Sequence, residues 1–247
     1  MGSQNLSEGL NSFMIPGDKY GYTGTPVDSL QSFENTIAIG LVDESGSTTS
    51  FAQELEKCVK EVIKSLKDSE HADKLLYAHY HFDTNFREVH GFKEVININV
   101  SDYDGCWSGG GCTALYDSEV KVIKYIDDYS KQLASQRYLC NGLFYILTDG
   151  KDYGSTLNEN SVKTELSRIV TNENLESFVT ILIGINEDDS VQKGLESHAK
   201  ECGFTRYIKA KNANRKTLSK ISGFISQSIS SQSQALGSGG PSQSLTF

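Results

Sequence analysis

The 247-residue chain contains no apolar run approaching the roughly 20 residues that a membrane-spanning helix needs, so no membrane span is expected. It also lacks a basic excess. Its 23 Lys and Arg stand against 32 Asp and Glu, a formal net charge of -9, which argues against non-specific binding to nucleic acid. Residues 1–10 show no basic segment followed by an apolar one, so no secretory leader is expected and the location reads as cytoplasmic. The five cysteines form no regular disulfide framework. Cys58, Cys140 and Cys202 sit in apolar-periodic or strand-edge contexts and read as buried reduced thiols, while Cys106 and Cys112 bracket a glycine run. No second Cys or His pair has the spacing of a zinc site. The glycines near the C-terminus lack the Gly-Lys pair of a phosphate-binding loop, and no internal repeat is visible.

Three oxygen-rich segments are what the chain does have. Asp43-Glu44-Ser45-Gly46-Ser47 follows the apolar stretch Ile37 to Val42, so a carboxylate and two hydroxyls alternate at the end of an expected strand. Gly109-Gly110-Gly111-Cys112-Thr113 leads into a helical pattern, and Tyr145-Ile146-Leu147-Thr148-Asp149-Gly150 is an apolar strand closed by a carboxylate and a glycine. Hard oxygen donors converging on one point suit a hard cation such as magnesium. Two carboxylates about 4 Å apart at an effective dielectric of about 20 repel by on the order of 4 kcal/mol, and a divalent cation between them reverses that sign.

Hydrophobic residues make up 37% of the chain and charged residues 22%, which suits one soluble α/β domain with extensions. Strand patterns at 36–42, 75–82, 143–147 and 178–183, with a short one at 207–208, alternate with helical periodicity at 51–66, 115–129, 161–170, 190–201 and 218–229. Arg87 to Phe92 reads as a hairpin partner of the strand before it, and Val95 to Val100 fits either type. The expected fold is Rossmann-like and doubly wound. It has a mostly parallel central sheet, one antiparallel edge strand and helices on both faces. Residues 1–30 read as an extended N-terminal arm, 31–229 as the domain, and 230–247 as a flexible Ser/Gln/Gly-rich tail.

The three segments together resemble the von Willebrand factor type A (VWA) family, whose metal-ion-dependent adhesion site (MIDAS) is Asp-x-Ser-x-Ser, a Thr in a second loop and an Asp in a third. Asp43, Ser45, Ser47, Thr113 and Asp149 match those positions in order, and the resemblance spans Thr36 to Ile229. It implies that these five residues hold Mg2+, with Mn2+ or Ca2+ compatible with the same donors. It also implies a protein partner that supplies an Asp or Glu carboxylate to the ion. The expected function is therefore a metal-dependent protein-protein interaction module and not an enzyme. The alternatives are a regulatory subunit of an ATPase-containing assembly, or a metal-dependent hydrolase, for which no histidine adjoins the three loops.

Glu44, at the variable position of the motif, is expected to face solvent beside the site. Asp117 in the first turn of the following helix and Asp152 after the third loop are expected around or behind the rim, where Asp102 and Asp104 add surface charge. His79-Tyr80-His81-Phe82-Asp83 has the outline of a binuclear hydrolase motif, but Thr84 stands where that motif needs a further His, so the two histidines read as structural. Trp107 reads as a packed anchor for the glycine loop.

Overall fold

The computed structural model describes residues 9–238. Residues 1–8 and 239–247, which include most of the glycine-rich end, lie outside the described residues. The elements run β1 (Asn11–Met14), β2 (Gly21–Gly24), β3 (Glu34–Asp43), α1 (Ala52–Lys67), β4 (Leu75–Phe82), β5 (Phe86–Glu94), α2 (Leu115–Ser135), β6 (Leu139–Thr148), α3 (Glu159–Thr171), β7 (Ser177–Ile185), α4 (Asp189–Cys202), β8 (Arg206–Ala210) and α5 (Arg215–Ser238). One sheet of eight strands has the order β1-β2-β5-β4-β3-β6-β7-β8. The strands β4, β3, β6, β7 and β8 are parallel neighbours, and β5 runs antiparallel to β4. This is the expected mostly parallel α/β architecture. No helix among the described residues is long and apolar enough to cross a membrane.

Both sheet faces are covered, because β3 is apolar on both sides. Ile37, Ile39 and Leu41 pack with α2, α3 and α4, and Ala38 and Val42 with α1 and α5. Gly40 lies between the latter two, and a Cβ there would meet the hydroxyls of Tyr77 and Tyr145, each at 2.4 Å. The glycine therefore makes room for two tyrosines to meet over the centre of the sheet, where their hydroxyls are 2.6 Å apart.

Two parts of the chain depart from the expected boundaries. Residues 11–24 are not simply an extended arm but a short hairpin, β1 with β2, that joins the sheet outside β5 through Gly24 and Phe92. Its strands are four residues long and hold no alternating apolar pattern, so nothing local marks them. Aromatic packing holds them instead: Tyr22 lies 5.1 Å from Tyr125, Phe92 stacks on Tyr129 at 4.5 Å, and Thr23 donates from both its amide and its hydroxyl to Glu88. At the other end, the helix expected to stop at residue 229 continues to Ser238, so 230–238 is not flexible tail. Gln232 is the anchor. Its backbone carbonyl accepts from Asn141 at 2.7 Å and its side chain from Ser177 at 2.6 Å. A Ser/Gln-rich composition weakens a helix without forbidding one, and these tertiary contacts decide.

Candidate metal centre

Asp43 is the last residue of β3, and Asp149 directly follows β6, the neighbouring parallel strand. Parallel pairing thus brings two distant carboxylates to the same sheet edge, the carboxyl end where doubly wound folds bind ligands. A chain of oxygens links them. The Ser45 and Ser47 hydroxyls are 3.2 Å apart, and Ser47 donates to Asp149 Oδ1 at 2.8 Å. Asp43 accepts the Ser45 amide on Oδ1 at 2.8 Å and the Thr148 hydroxyl on Oδ2 at 2.6 Å. Thr113 reaches the same place from the second loop. Its hydroxyl is 3.6 Å from where a Cβ on Gly150 would lie, and its carbonyl accepts the amides of Tyr153 and Gly154. All five expected donors, Asp43, Ser45, Ser47, Thr113 and Asp149, are therefore gathered by three loops at one edge.

Glycine makes this loop assembly possible. Gly109, Gly110 and Gly111 all have positive φ, at 46°, 155° and 66°. At Gly111 a Cβ would also meet the Thr84 hydroxyl at 2.6 Å, so a side chain is excluded twice. The run bends back over the first loop, where Gly110 donates to the Glu44 carbonyl at 2.9 Å and Gly46 donates to the Gly111 carbonyl at 3.3 Å. The β4-β5 turn supports it from beneath, through the Thr84 hydroxyl to the Cys112 amide and the Asp83 carbonyl to the Ala114 amide.

Electrostatics at this edge disfavours two free carboxylates. Burial pushes Asp43 up to about 6, opposed by the hydrogen bonds from Thr148 and Ser45 and reinforced by the charge of Asp149. Burial also raises Asp149, against the hydrogen bond from Ser47. An all-oxygen donor set with two buried, mutually repelling carboxylates fits a hard divalent cation.

Glu44 does not face solvent. It is 3% exposed, and its carboxylate accepts from Arg87 Nη2 at 2.7 Å, His81 Nδ1 at 3.0 Å and the Ser108 amide at 3.2 Å. Burial alone would raise its pKa, but the hydrogen bonds from His81 and Arg87 hold it down at about 2. The variable position that Glu44 holds in the motif gives no sign of this burial. The side chain points into the molecule because Arg87, on β5, supplies a counter-charge there. Glu44 thereby ties the first loop to the glycine loop.

Behind Glu44 runs a buried polar chain. His81 Nε2 and His79 Nε2 are 3.0 Å apart, His79 Nδ1 is 2.9 Å from the Tyr77 hydroxyl, and Tyr77 meets Tyr145. Burial lowers both imidazoles below their ordinary value. Arg87 Nη2 also lies 3.0 Å from His81 Nδ1, so Arg87, Glu44, His81, His79, Tyr77 and Tyr145 form one continuous polar network. The two histidines are thus structural, and Trp107 packs on His81 with ring centres 4.6 Å apart.

Asp117 and Asp152 clamp the third loop to the start of α2. Asp117 accepts from the amides of Thr156 and Leu157, and Asp152 accepts the Tyr116 amide and the Ser155 hydroxyl. Asp104 pairs with Lys60 instead. The residue that sequence reasoning missed is Thr148. It reads as one more apolar-strand residue, and only the β3-β6 register sets its hydroxyl against Asp43.

No protein-family profile and no curated protein sequence matches this chain. Solved structures do share its fold. The PilB minor pilin from Streptococcus sanguinis superposes with a TM-score of 0.61 at 16% identity, covering 87% of this chain and 65% of the pilin. Proximal thread matrix protein 1 from the mussel byssus, solved with a zinc-occupied MIDAS motif, gives 0.58 at 16% identity, covering 79% and 48%. The ArnB paralog VWA2 from Sulfolobus acidocaldarius gives 0.53 at 12% identity, covering 79% and 45%. The chain spans about half to two thirds of the length of these proteins.

Proposed function

We propose that this chain is a metal-dependent protein-interaction module of the VWA type, in which Asp43, Ser45, Ser47, Thr113 and Asp149 hold a divalent cation, with Mg2+ the ion of choice. The observation that carries this reading is the Ser45-Ser47-Asp149 oxygen chain closing onto the buried Asp43 across two strands. A cation bound there would offer an open coordination position to an Asp or Glu carboxylate of a partner. The zinc-occupied MIDAS of the mussel protein on the same fold supports the assignment.

The surroundings favour binding over turnover. Just beyond the third loop, Tyr153 is 81% exposed and Leu157 is 41% exposed, apolar surface of the kind that makes protein contacts. His81 lies near this edge, but both its ring nitrogens are engaged, by His79 and Glu44, so it supplies no general base. Two anionic ligands leave a dication near neutrality, so affinity for a partner depends on this rim as well as on the ion.

The test is calorimetric titration of the chelator-treated protein with Mg2+ and Mn2+, followed by capture of an immobilised acidic peptide library with and without the ion. Ion binding lost in Asp149→Ala, with carboxylate-dependent capture only in the presence of metal, supports the reading. Capture that is unchanged by chelation or by Asp149→Ala sinks it.

A further inference from the structure

Beside the first turns of α2, α3 and α4 bring together an imidazole, a thiol and a carboxylate. His198 and Cys202 are four residues apart on α4 and so share one face of that helix. Glu159 is the first residue of α3, packed alongside. One ligating atom from each of the three lies within 4.8 Å of the others. His198 Nδ1 is 2.9 Å from Glu159 Oε1 and 3.5 Å from Cys202 Sγ.

We propose that His198, Cys202 and Glu159 form a second cation site, independent of the three-loop centre, for a borderline-soft divalent ion of the zinc class. Zn–N and Zn–O distances of about 2.0–2.2 Å and Zn–S of about 2.3 Å imply ligand-to-ligand edges of about 3.3–3.6 Å in a tetrahedron. The two separations to His198 Nδ1 lie within about half an ångström of those edges, and the Cys202–Glu159 pair lies within 4.8 Å. A nitrogen and a sulfur in the donor set select against Mg2+ and Ca2+, so the two centres differ in the ion they take.

The support around His198 has the form such a site needs. Both oxygens of the fully buried Glu119 lie 3.0 Å from His198 Nε2, so that nitrogen donates to Glu119 and the ring is held with Nδ1 directed at Cys202 and Glu159. A carboxylate behind a ligating imidazole fixes its tautomer and raises its basicity. The rings of Tyr116 and Phe204 flank the imidazole, 4.9 Å and 5.8 Å away. The Glu159 side chain is 37% exposed, which gives the ion an entry path and a position for water.

Charge also balances. Without metal, an imidazolium and a neutral thiol sit among two carboxylates, one net negative charge. A divalent ion replacing the Nδ1 and Sγ protons leaves the same total. The buried group therefore gains a cation with no new uncompensated charge, and two protons are released to solvent.

The experiment uses the full chain, stripped with chelator and titrated with Co2+ as a spectroscopic stand-in for zinc. One equivalent of Co2+ should produce a near-ultraviolet thiolate-to-cobalt band that persists in excess Mg2+ and is absent in Cys202→Ser. Glu119→Gln, a positioning variant, should keep the band but weaken binding by about 10- to 100-fold. In the unmutated protein, Zn2+ binding in saturating Mg2+ should release about two protons, a readout that needs no variant to fold. Absence of the band at stoichiometric Co2+, its survival in Cys202→Ser, or Zn2+ uptake without proton release would each overturn the site in favour of a metal-free imidazolium held between two carboxylates.

Discussion

The hydroxyl of Thr148 donates to Asp43 Oδ2 at 2.6 Å, and its oxygen accepts the Gly150 amide at 3.2 Å. One small side chain thus locks the first carboxylate of the candidate centre to the loop that carries the second. Thr148→Val keeps the shape and removes both bonds. Because one partner is a carboxylate, the loss should be about 1.5–3 kcal/mol, measurable as a lower urea midpoint at unchanged slope. Mg2+ affinity should fall in the same variant.

Asp43→Asn should have opposite effects on stability and on metal binding. The folded pKa of Asp43, about 6, lies above its ordinary 3.8, so the ionised form is disfavoured by folding. Its cost is fully present above pH 6 and is relieved as pH falls towards 3.8. Asparagine removes the charge and retains the contacts, since its oxygen can accept the Ser45 amide and its nitrogen can donate to Thr148, whose proton then turns to the Gly150 carbonyl. At pH 8 without metal, the variant should melt higher than the parent. Mg2+ at 100 times its dissociation constant should stabilise the parent by about 2.7 kcal/mol and the variant by nothing. Thermal scans with and without Mg2+ decide it.

Glu44 sets an acid limit. Its pKa is held at about 2, below its ordinary 4.5, so its ionisation stabilises the fold above pH 4.5 and that contribution is lost as pH falls through 2. Glu44→Gln should flatten the fall in stability between pH 4.5 and 2 relative to the parent, as followed by circular dichroism. At neutral pH it should cost about 1–3 kcal/mol, because Arg87, His81 and the Ser108 amide lose a charged acceptor.

Gly40→Ala tests the tyrosine pair. A Cβ at this position meets two hydroxyls at 2.4 Å, and neither tyrosine can withdraw without breaking the chain to His79. Overpacking of this kind costs about 1–3 kcal/mol. A denaturant midpoint within error of the parent would show that the sheet opens more easily than its burial implies.

The parallel core was legible in the sequence because its strands are short, continuous apolar runs between periodic helices, as at Ile37 to Val42 and Tyr145 to Thr148. The five oxygen donors were legible because each sits at the end of such a run or within two residues of a glycine. Residues whose role depends on pairing register or on a distant counter-charge were not. Thr148 gains its partner only when β3 aligns with β6, and Glu44 turns inward only because Arg87 arrives from β5. The β1-β2 hairpin was hidden for a similar reason, since its stability comes from Tyr125 and Tyr129 on α2 rather than from its own residues. His198 and Cys202 carried a visible four-residue spacing, but Glu119 and Glu159 join them only through helix packing.

The Ser47–Asp149 and Asp43–Thr148 bonds close over 102 and 105 residues of chain. That separation makes the centre a late product of folding, since nothing gathers these oxygens until β3 and β6 are side by side. A cation that recognises all of them has little purchase on the folding transition state. It should leave the refolding rate almost unchanged and slow unfolding by nearly its whole equilibrium effect. In a chevron plot, only the unfolding limb would move.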